Sequence, residues 1–131
     1  MWDLEDQSLY FRLLNVTISH ALTWGSGDLE KRETIRSAVA SSFPAEIPPA
    51  RWWAFRLYAK KGGSHSYDVE NIPKLIVDAF AGKQLRRDHS QYPQLELYED
   101  DNVESVAMVQ VAGEASEGGD STRIEIFGRC R

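Results

Sequence analysis

The chain has 131 residues, of which 42% are hydrophobic and 27% are charged. This composition predicts a single globular domain over residues 1–131 and excludes disorder along the whole chain. No apolar run approaches the roughly 20 residues that span a bilayer, and the single cysteine, Cys130, excludes an intramolecular disulfide. We therefore expect a cytoplasmic protein that does not contact a membrane. The net charge of −5 argues against nucleic acid as a partner, but residues 51–94 form a basic middle with eight Lys or Arg and four acids.

The N-terminal half contains three segments that predict, in chain order, a strand, a helix and a second strand. Residues 9–18 are rich in aromatic and β-branched side chains, which predicts a strand. Residues 29–42 carry a thin apolar stripe, so we expect a helix that lies on the surface. Residues 50–59 predict a second strand, in which Trp53 and Phe55 share one face.

The C-terminal half begins with the clearest helix signal in the chain. Asn71 suits a helix N-cap, apolar residues recur at helical spacing from Ile72 to Phe80, and Gly82 suits the helix end. Residues 83–94 predict a polar loop. Further strands are predicted over 95–98, 103–112 and 122–127. We expect the last two to form an antiparallel pair, and the whole to be an α+β domain with a small mostly antiparallel or mixed sheet of about five strands and two helices.

Acidic and basic side chains come together in sequence just before the predicted helix at residue 72. Asp68 and Glu70 are two positions apart, so in an extended chain they point the same way. Lys74 lies one helical turn beyond Glu70 and can reach back towards the same place. A lysine beside carboxylates can bind a phosphate oxygen or stabilise charge that develops on it.

A second acidic segment, Glu99-Asp100-Asp101, lies between two predicted strands. Carboxylates gathered from both segments repel one another unless a cation neutralises them. Oxygen ligands without a cysteine or a histidine pair suit Mg²⁺ or Mn²⁺ rather than zinc. Each segment also has a simpler interpretation, as acids that favour the N-terminus of a helix dipole and as a solvated turn.

Taken together and in this order, the two segments resemble a known pair of motifs. The stretch from Asp68 to Gly82, followed by Tyr98 to Val103, is similar to the RusA-like endonucleases, the phage-type Holliday-junction resolvases. That family's pattern is D-x-D-N-x-x-K, then a helix ending in D-A-L-x-G, then a D-D-x-Q-V run that enters a strand. The resemblance covers residues 50–112.

The resemblance implies a role for each residue that matches the first motif. Asp68 and Glu70 fall on its two acids and Asn71 on its asparagine. Lys74 falls on the catalytic lysine, and Asp78 on the acid of the helix.

For the second motif, the resemblance places Asp100 on the metal-binding aspartate. A slip of the register by one residue would place Asp101 or Glu99 there instead. The catalytic residues implied are Asp68, Glu70, Lys74 and Asp100, and the metal ligands are Asp68, Glu70 and Asp100.

The resemblance also implies a compact homodimer that uses Mg²⁺ or Mn²⁺ and nicks a four-way DNA junction symmetrically at two active sites. Basic residues that flank the motifs are expected to follow the DNA backbone. They are Lys60, Lys61, Lys74, Lys83, Arg86 and Arg87.

Two other functions remain open at this point. Glu stands at positions 70 and 99 where the family has Asp, and both ends of the chain are acidic. These features favour a catalytically degenerate module of the same fold that binds DNA or a protein partner. The third possibility is an unrelated small α+β interaction domain.

Overall fold

The structure is a computed structural model, and it describes residues 2–19, 28–62 and 72–131. The described strands are β1 (Tyr10–Ile18), β2 (Trp53–Lys61), β3 (Val106–Ala115) and β4 (Ser121–Arg129). The described α-helices are α1 (Asp28–Val39), α2 (Ile72–Ala79) and α3 (Gly82–Arg87). The predicted α+β class is confirmed. Within the described ranges the sheet has four strands rather than about five, and there are three α-helices rather than two.

The four strands form one mixed sheet in the order β1-β4-β2-β3. β4 pairs antiparallel with both β1 and β2, whereas β3 pairs parallel with β2. The expected antiparallel pair of the last two strands is therefore wrong, because β2 lies between them. A parallel pair needs a long crossover, and the chain from β2 to β3 supplies it with α2 and α3.

One face of the sheet packs against the helices and forms the main core. Alternate residues of β2, including Phe55 and Leu57, point to this face and are buried. Helix α2 meets them with an almost wholly apolar surface, of which Leu75 and Ile76 are fully buried. The clear periodicity of these two segments explains why they are predictable from sequence.

The N-terminal segment covers part of the other face of the sheet. Leu4 packs with Ala54 and Phe127 in a second apolar cluster. Trp52 lies between two other aromatic rings, 5.8 Å from Trp2 and 5.7 Å from Tyr10 between ring centroids.

A charged cluster continues this second face. Glu125 is only 5% exposed, and its Oε2 lies 3.1 Å from Nη2 of Arg12 and 2.9 Å from Nη2 of Arg56. Both guanidinium groups also lie 5.1 Å from the centre of the Phe127 ring. A buried carboxylate of this kind needs such partners, because an unpaired charge is costly to remove from water.

Helix α1 is more deeply buried than its thin apolar stripe predicts. Besides Ile35 and Val39, it buries Arg32 and Arg36. Both arginines are hydrogen-bonded to Asp88, the residue that follows α3. Helix α1 is thus attached to the rest of the fold by buried ion pairs as well as by its few apolar side chains.

Residues 95–98 do not form the predicted strand. A 3₁₀ helix spans Pro93–Leu95, and Tyr98 makes an isolated parallel bridge with Ala81. The predicted helix end is also wrong, because α2 ends at Ala79 and Gly82 begins α3. A Cβ at position 82 would lie 2.1 Å from a carboxylate oxygen of Glu96, so the glycine permits this close approach.

Candidate functional site

Lys74 lies in the first turn of α2, and its ammonium contacts two carboxylates. Nζ lies 3.3 Å from Oδ1 of Asp78 and 3.1 Å from Oδ2 of Asp101. Asp78 is four residues further along the same helix, where side chains are neighbours on the helix surface. Asp101 is 27 residues away in sequence. Lys74 therefore joins the two parts of the chain that carry the motifs.

The acidic segment is held in place by the junction of α2 and α3. The backbone N–H groups of Gly82 and Lys83 donate to the carbonyls of Tyr98 and Glu99 at 2.7 and 3.0 Å. The buried hydroxyl of Tyr98 donates to the carbonyl of Val77 at 2.6 Å. These bonds fix the start of the segment, so the acids that follow lie beside α2.

A cavity of about 220 Å³ opens between α2, α3 and the acidic segment. Its lining carries three basic and three acidic side chains, so the formal charges balance. The lining residues are Lys74, Asp78, Ala81, Lys83, Gln84, Arg87, Asp100 and Asp101.

The environment of the cavity shifts the pKa values of Asp78 and Lys74. Burial raises the pKa of Asp78; the ammonium of Lys74 opposes this rise, and the charge of Asp101 adds to it. Burial lowers the pKa of Lys74, but its hydrogen bond to Asp101 and the two nearby negative charges outweigh that effect and raise it. Lys74 is therefore a firmly charged ammonium at neutral pH.

Asp100 occupies the more exposed side of the cavity. Its Oδ2 lies 3.6 Å from Nζ of Lys83. The backbone N–H of Asp101 donates to Oδ1 of Asp100 at 2.9 Å, and this bond, together with Lys83, lowers the pKa of Asp100. Of the aspartates considered for the metal position, Asp101 is thus the one that contacts Lys74.

The remaining acids of the two motifs are Asp68, Glu70 and Glu99. Asp68 and Glu70 lie outside the described residues, as does Asn71. Glu99 is not among the residues that line the cavity, and it forms an exposed ion pair with Arg86.

The described carboxylates alone do not complete a metal site. Asp78, Asp100 and Asp101 supply oxygen donors of the kind that Mg²⁺ and Mn²⁺ prefer. However, no three Asp, Glu, His or Cys side chains converge on one point within residues 2–19, 28–62 and 72–131. A metal centre here would need further ligands, and the two acids of the first motif lie outside those ranges.

The residues predicted to bind DNA separate into two groups. Lys83, Arg86 and Arg87 are on α3, where Lys83 and Arg87 line the cavity with Lys74. The other two, Lys60 and Lys61, end strand β2, and Nζ of Lys61 lies 3.8 Å from Asp120.

Three residues that line the cavity are not among the predicted site residues: the apolar Ala81 and the polar Asp78 and Gln84. Asp78 aligns with a motif position but was not assigned to the site, although its spacing of four from Lys74 on a helix is a signal that both face one way. The sequence does not predict that Gln84 lines the cavity, because residues 83–94 are predicted to form a loop. In the structure Gln84 lies on α3 and lines the cavity.

Among the described residues, no helix is long and apolar enough to cross a bilayer. No protein-family model, curated protein or solved structure matches the chain. What the site can do therefore follows from its own groups. Ammonium and guanidinium groups bind phosphate oxygens, and carboxylates bind hard cations.

Proposed function

We propose that this protein is a divalent-metal-dependent endodeoxyribonuclease of the RusA-like type, which hydrolyses phosphodiester bonds in branched DNA such as a Holliday junction. The observation that carries the proposal is the contact of Lys74 with Asp101 at one cavity, across 27 residues of sequence. A lysine of the first motif beside an aspartate of the second is the arrangement that a single active site requires.

The proposed chemistry divides between the two motifs. Asp68 and Glu70, together with Asp101, would hold Mg²⁺ or Mn²⁺, and an ion there would supply Lewis-acid activation of the scissile phosphate and of the attacking water. Lys74 binds a phosphate oxygen and stabilises the negative charge that builds there in the transition state.

Basic side chains of α3 extend this site towards a DNA backbone. Lys83 and Arg87 line the same cavity as Lys74, and Arg86 lies between them in sequence. Each phosphate that such residues neutralise steepens the fall of log K with log salt by roughly 0.9 on duplex DNA. We further propose that the protein is a cytoplasmic homodimer whose two active sites nick the four-way junction symmetrically.

A cleavage assay on a synthetic four-way junction with Mg²⁺ or Mn²⁺ tests this function. We expect paired symmetric nicks from the wild type and no nicks from Asp68→Asn. Glu46→Gln is the matched control, because it removes an exposed carboxylate that is not in the cavity lining. Full activity of Asp68→Asn would show that the site is wrongly assigned.

A second candidate is a catalytically degenerate module of this fold that binds branched DNA or a protein partner. It is favoured by the ion pairs that already occupy acidic and basic groups of the site, including Lys83 with Asp100 at 3.6 Å and Arg86 with Glu99. Tight, salt-sensitive junction binding by the wild type without cleavage under either metal would support this candidate instead.

A further inference from the structure

Three arginines and two glutamates form an ion-pair cluster on the second face of the sheet, opposite the helices. Its members are Arg12, Arg56, Arg123, Glu5 and Glu125. Buried Glu125 holds Arg56 through two bonds of 2.9 Å, from Nε to Oε1 and from Nη2 to Oε2. Its Oε2 also lies 3.1 Å from Nη2 of Arg12. The guanidinium groups of Arg12 and Arg56 are therefore held side by side from below.

Glu5 shows what these two guanidinium groups can bind. Its Oε1 accepts a hydrogen bond from Nη2 of Arg56 at 2.6 Å and one from Nη2 of Arg12 at 3.1 Å. The Glu5 side chain is 61% exposed, whereas that of Glu125 is 5% exposed. An exposed ion pair of this kind is held only weakly, because water competes for both partners. Glu5 thus occupies an oxyanion position from which an external anion can displace it.

A depression of about 380 Å³ continues from this position along the second face. Arg56 belongs to both, and the depression is further lined by the polar side chains of Tyr58, Gln110 and Arg123. Its volume is in the range of sites that hold small organic ligands.

The charge of the cluster indicates the class of ligand. Once Glu5 is displaced, three arginines face one glutamate, which leaves an excess of two positive charges. A phosphate monoester carries close to two negative charges above its second pKa of about 6. Guanidinium groups also bind phosphate oxygens through strong, charge-assisted hydrogen bonds. A phosphate monoester therefore matches the cluster in charge and in hydrogen bonding.

We propose that Arg12, Arg56 and Arg123 form a binding site for a phosphate monoester, and that Glu5 occupies this site until the ligand displaces it. The phosphate lies between Arg12 and Arg56, and the organic group lies in the depression. The monoester belongs to a small molecule or to the terminal phosphate of a nucleic acid strand, since both present the same dianion. Arg56 alternates along β2 with core residues that face the helices, so this site and the cavity at Lys74 lie on opposite sides of the sheet.

Binding of phenyl phosphate to the full chain tests the site, measured by titration calorimetry at low salt and above the second pKa of the phosphate. Glu5→Gln removes the internal carboxylate, so we expect phenyl phosphate to bind about threefold more tightly. Arg12→Gln removes one of the two guanidinium groups and should weaken binding about tenfold or more. Arg56 still pairs with buried Glu125 in this variant, and its urea midpoint checks that the fold is kept.

Two variants serve as matched controls for net charge. Glu46→Gln and Arg51→Gln make the same changes in charge as the two test variants, at exposed residues outside the cluster. Each should alter the affinity for phenyl phosphate by less than about twofold, because salt and water screen distant exposed charges.

Each result bears on the proposal directly. Unchanged binding by Arg12→Gln overturns the site, as does a lack of binding by both the wild type and Glu5→Gln. An equal gain in Glu46→Gln overturns the displacement of Glu5, because net charge alone would then explain the effect. None of these residues belongs to the proposed nuclease site, so junction cleavage stands or falls independently.

Competition then identifies the source of the phosphate. A dinucleotide with a 5′-phosphate that displaces phenyl phosphate, when the same dinucleotide without that phosphate does not, assigns the site to the end of a nucleic acid strand. Binding of phenyl phosphate that neither dinucleotide displaces assigns the site to a small phosphorylated molecule.

Discussion

Arg36 and Asp88 form an ion pair in the interior of the protein. Nη1 of Arg36 lies 2.9 Å from Oδ2 of Asp88, and the two side chains are 0% and 2% exposed. Arg32 binds the same carboxylate through Nε and Nη2, at 2.7 and 2.9 Å. Nε of Arg36 also donates to the carbonyl of Ala79, the last residue of α2, at 2.7 Å. One carboxylate thus ties α1 to the helices that form the cavity.

Asp88→Ala is expected to destabilise the fold strongly. It removes the carboxylate that Arg32 binds and leaves buried Arg36 with only Glu33 as an anionic partner, at 2.9 Å. Breaking a buried pair in this way costs about 3–5 kcal/mol. The free energy of unfolding in urea measures the loss. Glu99→Ala is the control, because it breaks an exposed ion pair with Arg86 and should leave the free energy of unfolding nearly unchanged. Similar small losses in both variants would show that the interior ion pair does not hold α1 in place.

The same ion pair predicts how stability depends on pH. Burial by itself raises the pKa of Asp88, but hydrogen bonds from Arg32 and Arg36 outweigh it and hold the pKa below its usual value of 3.8. Because the pKa of Asp88 is lower in the folded protein than in the unfolded chain, the ionised carboxylate stabilises the fold at pH values above its usual pKa. This stabilisation is lost as the pH falls through the pKa of the folded state.

Urea unfolding between pH 7 and pH 3 checks this dependence. We expect the stability of the wild type to fall in the acid part of this range, and the advantage of the wild type over Asp88→Asn to shrink there. An advantage that stays constant at all pH values would mean that ionisation of Asp88 does not stabilise the fold.

Gly128→Ala is expected to destabilise the pairing of β1 with β4. Phe11 lies opposite Gly128 in the register, and a Cβ at position 128 would lie 2.2 Å from Cζ of the Phe11 ring. The ring also packs edge-on against Trp53, with centroids 5.7 Å apart, so it is not free to move away. Overpacking of this kind costs about 1–3 kcal/mol, measurable as a lower urea midpoint. Gly119→Ala should change stability by less than about 0.5 kcal/mol, since nothing lies within 4 Å of its added Cβ.

If the chain is a nuclease, Asp101→Asn should reduce cleavage more than Asp100→Asn. Asp101 contacts Lys74 and is 27% exposed, whereas Asp100 contacts Lys83 and is 49% exposed. We expect a loss of about 100-fold or more for Asp101→Asn, in line with the removal of one charge-stabilising group, and a much smaller loss for Asp100→Asn. The rate of junction nicking under single-turnover conditions measures both. The reverse order would restore Asp100 as the residue of the second motif.

Elements with strong local periodicity are predictable from this sequence. Strand β1 begins one residue after its predicted start and ends at the predicted residue. Helix α2 begins at Ile72, where the apolar repeat begins. The two faces of β2 also follow from alternation, because a strand buried on one side needs an apolar residue at every second position.

The remaining structure depends on contacts between distant residues. Arg36 and Asp88 are 52 residues apart, so nothing near α1 in sequence shows that its arginines are buried. Residues 95–98 predict a strand, but the backbone of this segment binds the α2–α3 junction instead. The N–H of Leu97 donates to the carbonyl of Phe80, and the carbonyl of Tyr98 accepts from the N–H of Gly82. In the site, the spacing of four residues on one helix predicts the contact of Lys74 with Asp78. Asp101 falls on the metal-binding position of the second motif only when the alignment is shifted by one residue.

The position of β4 in the sheet bears on how the chain folds during synthesis. Of the four described strands, β4 is synthesised last, yet it lies between β1 and β2 and pairs with both. Its pairing with β1 joins residues as far apart as Tyr10 and Arg129. Such distant pairing slows folding, because a long loop must close before its contacts form. Until β4 is made, β1 lacks the strand that it pairs with, and one edge of β2 is open. The nascent chain therefore exposes apolar strand edges that favour aggregation, and we expect the sheet to form only after translation of β4.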